Sequence, residues 1–382
     1  MKIRQYGIRF ILIMVGDVNM LAREKEEISW KRIITYAGAF IAFLIGSGFA
    51  TGQEVLQYFS SYGYLGVLGV IVVFLLFLYV GVDFVTVGQK HKFKKGSEIY
   101  KYYCGNIVGS FYDYFSIAFI YMSYIVMIGG AGATLHQQYS LPTYVGGIAI
   151  GILATCTVIF GLGKIVDVIG KIGPIIIILT IILGVSAIIK NPQGLTTVNE
   201  VLPKLNLMKA STNWFYAAAS YVGFCMLWLA AFMTSMGAAS KSRKESVLGV
   251  TFGAVGFSVA LVIITLGILA NIEQLAGTMV PTLVLAGNIS PVLALIFSFI
   301  VIVGIYTTAV PLLWQVVARF SEEKTRKFKM LTVVLAIIGV FVGLLVPFDK
   351  LVNIIYVING YVGVILLGFM IVKTIRNKGF CK

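Results

Sequence analysis

Apolar runs of about twenty residues, bounded by clusters of lysine and arginine, recur along the whole chain. A run of that length matches the hydrocarbon core of a bilayer when helical. Inside lipid every backbone N–H and C=O must be satisfied within the protein, so the spanning segments are helices or a closed barrel. Alternation with a period of two is absent, which removes the barrel. Ten spans are expected, near 33–59, 64–87, 108–135, 143–161, 172–189, 213–237, 247–270, 290–318, 330–346 and 351–372. Only 12% of the 382 residues are charged and 59% are hydrophobic, against about 25% charged in soluble domains. The expected class is therefore an all-α integral membrane protein.

Charge orients the spans. With a cytoplasmic N-terminus and an even count, all but four of the 30 Lys and Arg fall inside; Lys190, Lys204, Lys209 and Lys350 fall outside. Loops such as "QKHKFKKG" and "SKSRKES" carry the bias, as the positive-inside rule requires. The net charge of +15 thus reads as topology anchors beside anionic lipid, not a nucleic-acid footprint. Both termini are then expected on the cytoplasmic side of the membrane. Residues 1–30 form an N-terminal segment without a convincing cleavage site, 31–376 a single transmembrane domain, and 377–382 a cytoplasmic tail. No cysteine pair faces outward, so no disulfide framework is indicated.

The longest outer loop, Lys190 to Thr212, divides the spans five and five. An odd number per half means the second set enters the membrane reversed, which is the arithmetic of an inverted repeat. The halves are 31–189 and 213–373. Span one is interrupted at "GSG", and span six carries Ser220, Tyr221 and Gly223 at the same relative place. Spans three and eight carry "IGGAGAT" and "GIYTTAVP". Helices one and six are accordingly expected to be broken.

In "FLIGSGFATGQEV", Gly46, Ser47 and Gly48 open the backbone inside a membrane-length run. The amides of the outer half-helix point positive dipole at an anion, so Gly46, Ser47 and Gly48 suit a solute carboxylate, while the Ala42 and Ile45 carbonyls suit a cation. The alternative is close helix packing, because Gly48 and Gly52 form a GxxxG pair. Glu54 follows in the outer half of the span. Intramembrane carboxylates usually face a cavity or a partner, so Glu54 is a candidate gate, proton relay or ligand for a cationic solute group, with a structural hydrogen bond as the plainer role.

The stretches "IGSGF", "GKIGPIIIILTIILG" and "GNISPVLALIFSFIVIVGIYTTAVPLLW" resemble the first, fifth and eighth spans of amino acid–polyamine–organocation transporters. From about Trp30 to Arg376 the chain is most similar to the YkvI-type family of bacterial membrane proteins in that superfamily. The resemblance implies a leucine-transporter-like fold. It implies a solute site between spans one, three, six and eight, drawing on Gly46, Ser47, Gly48, Phe49, Ser220, Tyr221 and Gly223. Tyr121 and Tyr124 of span three would face the solute as aromatic hydroxyls do in relatives. It further implies a cation position, sodium being one candidate, at Ala42, Ile45, Gly304, Thr307 and Thr308. The threonines' alternative is bonding back to their own helix. Lys171 corresponds to the fifth-span lysine whose ammonium replaces sodium in some relatives; otherwise it is a positive-inside anchor.

No phosphate loop, HExxH or metal-ligand cluster is present, so neither an ATP-driven pump nor an intramembrane enzyme is indicated, and no cofactor beyond a coupling Na⁺ or H⁺. The expected function is cation-coupled secondary transport of an amino acid or related small organic solute by alternating access. An uncoupled exchanger or channel, and a non-transporting receptor retaining the fold, are the rivals. The expected partners are the solute and the lipid bilayer, with no nucleic acid; no oligomeric state follows from the sequence.

Overall fold

The structure is a computed structural model that describes residues 28–160 and 165–379, with side chains described for 28–160 and 173–377. Most of the N-terminal segment lies outside the described residues, as do the side chains of 165–172, Lys171 among them. All described secondary structure is helical. The first span is split into α1 (Trp30–Leu44), α2 (Ser47–Thr51) and α3 (Gln53–Tyr58). Then come α4 (Tyr64–His91), α5 (Glu98–Tyr139), α6 (Thr143–Phe160) and α7 (Ile165–Lys190). After the connecting α8 (Gln193–Val201), the second half comprises α9 (Trp214–Ala239), α10 (Arg243–Ala270), short α11 (Ile272–Leu275), α12 (Pro281–Ile289), α13 (Pro291–Phe320), α14 (Arg326–Leu345) and α15 (Phe348–Gly379). Nine of the described helices are long and apolar enough to cross a membrane; the split first span is the remaining one of the ten expected.

The packing obeys the repeat. Helix α1 lies on α10 as α9 lies on α4, and α1 meets α7 as α9 meets α15. Helix α5 packs on α14 and α15 just as α13 packs on α6 and α7. The equivalent pairs α4 with α10, and α5 with α13, face one another. Overlaying the second five spans on the first exchanges each pairing with its partner, as two inverted five-helix units require.

Two breaks interrupt span one. Ile45 and Gly46 are extended, with ψ of 96° and −173°. Gly52 turns the chain a second time at φ +80°, a left-handed conformation that only glycine adopts without strain. A Cβ there would also stand 2.8 Å from Thr282 Cγ2. The Ala50 carbonyl beside this turn accepts a hydrogen bond from Thr282 Oγ1 at 2.9 Å, so a group left over at the break is satisfied by α12. The two glycines of the GxxxG pair thus do different things: Gly52 is a turn residue that also packs on Thr282 of α12, and Gly48 makes room for Glu54 of its own span.

Span six is not broken. Helix α9 runs from Trp214 to Ala239, capped by Asn213 Oδ1, which accepts from the Phe215 and Tyr216 amides at 3.0 Å each. Gly223 serves a close crossing instead: its backbone lies against Gly360 and Gly363 of α15. "IGGAGAT" and "GIYTTAVP" likewise stay helical within α5 and α13. Small residues let backbones approach in membranes, and composition does not separate that use from a break.

At its start, α1 is tied to α10. Glu245 is 1% exposed and accepts from Arg32 Nη2 at 2.8 Å and from the Ser29 amide at 2.7 Å. The Arg32 hydrogen bond holds its carboxyl below the ordinary value of 4.5. A depressed carboxyl contributes stability that is complete above 4.5 and is lost as pH falls through the lowered value. Purified protein should therefore lose thermal stability on acidification below that point, and Glu245→Gln should flatten the difference. An identical pH profile in the variant would remove the latch from the account.

Candidate functional site

The broken span places a carboxyl against its own opened backbone. Glu54 lies in the first turn of α3 and is 1% exposed. Its side chain folds back over Gly48, so closely that a methyl group on Gly48 would overlap the carboxyl. The Tyr221 hydroxyl of α9 donates to Glu54 Oε2 at 3.4 Å, and the Phe49 amide reaches the same carboxyl from the first turn of α2. The carboxyl next to Gly46–Gly48 is thus the chain's own.

Around it stands a closed shell. Ser47, Tyr58, Ser220 and Tyr356 are fully buried, and their hydroxyls are served only by loose mutual pairings, Tyr356 with Ser47 and Tyr58 with Ser220. Both tyrosines lie within electrostatic reach of Glu54. Aromatic rings close the wall. Tyr58 meets Tyr221 edge-on at 5.4 Å, and Phe224 stacks on Tyr356 at 4.7 Å. Trp228 stacks on Phe119 at 5.3 Å and donates its indole N–H to Ser123 Oγ at 3.1 Å. Span one, α5, α9 and α15 therefore all contribute. Ser47 packs onto Gly130 of α5, where a Cβ would stand 2.9 Å from Ser47 Cβ.

The expected cation position is organised by α7. Gly173 packs on Ala42, 2.9 Å from its Cα to a Cβ built there, and Gly304 packs on Ile176. Helix α7 thus touches both Ala42 of span one and Gly304 of α13. Thr307 and Thr308 both donate to the Gly304 carbonyl, at 3.0 and 2.9 Å. Each hydroxyl keeps acceptor lone pairs after this back-bonding.

Comparison with known proteins follows the same lines. No family model matches the chain. It is 20% identical to the uncharacterized membrane protein YkvI of Bacillus subtilis (strain 168) over 337 residues, 88% of this chain and 94% of that one. It is 22% identical to the uncharacterized protein YyaD of the same organism, covering 91% and 99%. Among solved structures it is similar to the inward-facing conformation of Mhp1, with a TM-score of 0.59 at 14% identity, covering 87% of this chain and 73% of that one. It is also similar to MhsT in complex with L-phenylalanine, with a TM-score of 0.55 at 15% identity, covering 84% and 80%.

The fold is leucine-transporter-like. The resemblance to YkvI-type membrane proteins extends over nearly the whole chain.

Within this fold several expected residues point elsewhere. Tyr121 donates to the Leu335 carbonyl of α14 at 2.8 Å, and the Tyr124 ring packs on Gly339 of the same helix. Phe49 turns to Phe257 of α10, centroids 5.0 Å apart. The shell instead receives Phe119, Ser123 and Met127 from α5, the last contacting Gly46. Their spacing of four is the helical signal that marks one face. Trp228 and Tyr356 had no signal beyond being aromatic in an apolar run.

Proposed function

We propose that this protein is a secondary transporter that carries an amino acid or a related small organic solute by alternating access, coupled to sodium or protons. The observation that carries the reading is the Glu54 shell. A solvent-excluded carboxyl and four buried, only loosely paired hydroxyls gather at the break of span one, where helices of both repeats meet. Buried polar groups gathered without close hydrogen bonds are uncommon in finished cores, and an intramembrane carboxyl is a functional candidate by default. The inverted-repeat packing supplies the two bundles that rock about such a site.

Reconstitution into proteoliposomes tests this. Uptake of a labelled amino acid and amine panel should be accelerated by an imposed sodium or proton gradient, with counterflow on preloading. Absence of both would sink the reading. Thr308→Ala discriminates between the ions. Its hydroxyl hydrogen bonds within α13, so the variant should fold normally; it should lose sodium activation if sodium couples, and keep full activity if protons do. Lys171→Ala in the same assay should abolish proton dependence if that ammonium is the coupling group and leave it unchanged if Lys171 is an anchor.

A further inference from the structure

The walls around Glu54 leave it no room and no counter-charge. Its carboxyl folds over Gly48, where not even a methyl group fits. Ser47, Tyr58, Ser220, Tyr221 and Tyr356 enclose it, all fully buried. Its titratable neighbours are themselves weak acids: Tyr58 on its own span, Tyr221 and Cys225 on α9, and Tyr356 on α15. The other elements add no cation. Helix α2 has no titratable residue, α5 turns Phe119, Ser123 and Met127 this way, and α10 has only Arg243, Lys244 and Glu245, in its first turn beside the start of α1. On α15, Asp349 and Lys350 stand about two turns before Tyr356, with Lys350 exposed. Among the described residues no lysine, arginine or histidine pairs with Glu54. Buried carboxylates that stay ionised accept two or three amide bonds or face a cationic side chain. Glu54 has one amide, that of Phe49, and the Tyr221 hydroxyl 3.4 Å away. An isolated carboxylate so placed costs enough that a proton binds instead. A proton is also the one cation that needs no cavity, whereas a hard metal ion gathers several oxygens around itself.

We propose that Glu54 takes up one proton when the shell closes and returns it to water when the shell opens, so that protons drive closure. This rests on the transport reading in taking the shell as the part that opens and closes, and it names the ion that acts there. The proton sits on Oε1, which leaves Oε2 to accept from Tyr221. It comes from water as the aromatic walls meet and goes back to water as they part. The carboxyl is neutral in the closed form and carries one negative charge in the open form; nothing else is exchanged. Closure is accordingly favoured from the more acidic side of the membrane.

Cys225 supplies a native reporter. It is fully buried, one turn from Tyr221 on α9 and within electrostatic reach of Glu54. Purified full-length protein in detergent is treated with methyl methanethiosulfonate across a pH series, and Cys225 is followed by mass spectrometry in the parent, Glu54→Gln and Glu54→Asp. Thiol reactivity rises with pH by itself, and Glu54→Gln, which has the same thiol and no acid at 54, measures that rise. Labelling of the parent relative to Glu54→Gln should climb by up to about tenfold per pH unit, the limit for release of one proton. Glu54→Asp, which keeps an acid, should keep the climb, and added sodium chloride should leave it unchanged. Infrared spectra of the parent at neutral pH should show a carboxylic acid C=O band that vanishes in Glu54→Gln and shifts in Glu54→Asp. The aspartate variant decides the assignment if the glutamine variant does not fold. The proposal is overturned if the parent has no acid band at neutral pH, if parent and Glu54→Gln label with the same pH dependence, or if sodium chloride protects Cys225 as acid does. An acid band and a pH-dependent Cys225 in a protein without uptake or counterflow would defeat the transport reading and leave this one standing. Sodium-driven uptake indifferent to pH, with no acid band, would do the reverse.

Discussion

Gly48→Ala should abolish solute binding and lower the melting temperature sharply. The added methyl would stand 2.5 Å from Glu54 Cδ and closer still to the carboxyl oxygen. Glu54 has no free space to yield, being enclosed by Tyr221 and the opened backbone of span one. Overpacking of this kind costs about 1–3 kcal/mol. The displaced carboxyl would also lose its place among the hydroxyls, so binding fails along with stability. The double variant Gly48→Ala with Glu54→Ala removes both sides of the collision. It should recover much of the melting temperature by differential scanning fluorimetry while binding no ligand. If the double variant melts no higher than Gly48→Ala, the collision is not the cause; if Gly48→Ala binds like the parent, the carboxyl does not occupy that space.

The second large effect lies at the crossing of α9 and α15. A Cβ on Gly363 would stand 2.6 Å from Gly223 Cα and closer to the Gly223 carbonyl, and one on Gly223 would stand 2.9 Å from the Val364 amide. These are backbone atoms and cannot rotate away. Gly363→Leu should wedge the helices apart, at a cost of about 3 kcal/mol, the upper end for overpacking. Tyr221 and Phe224 ride on α9 and Tyr356 on α15, so the shell should open with the crossing. Gly368 gives the control. It lies on the same helix with no atom within 4 Å of a built Cβ, and Gly368→Ala should leave stability unchanged or raise it slightly through helix propensity. Equal melting temperatures for the two variants would show that the crossing carries no special constraint.

Some of this was legible in the residues and some was not. The span boundaries and the five-plus-five division follow from hydropathy and lysine placement, which the bilayer imposes directly. A break near Gly46 was readable because glycine and serine interrupt an apolar run there, although Ser47 and Gly48 themselves are already helical and only Ile45 and Gly46 are extended. The same signal misled at Ser220 and Gly223, because small residues also mark close crossings. What separates the two uses is where the freed carbonyl goes. For Ala50 the acceptor is served by Thr282, more than two hundred positions along the chain, and no local pattern announces it. Tyr121 and Tyr124 failed for another reason. They share a face of α5 with each other, but the face turned to Glu54 is that of Phe119, Ser123 and Met127, and choosing between faces requires knowing which helix lies on each side. Glu54 itself was visible as a misplaced charge; that it folds back onto Gly48 was not.

The Thr282 hydrogen bond has one more consequence. It fastens the middle of span one to α12, while α1 is joined to that middle only by two extended residues. Its counterpart α9 is a rigid, uninterrupted rod. The two repeats are therefore unequal leaves of one door: a fixed post on one side, and on the other a fifteen-residue flap held shut by Arg32 on Glu245 and by Phe43 stacked on Phe232 at 3.9 Å. Moving that flap means undoing its packing along α10 and α7, whereas moving the post means undoing the α9–α15 and α9–α4 seams together.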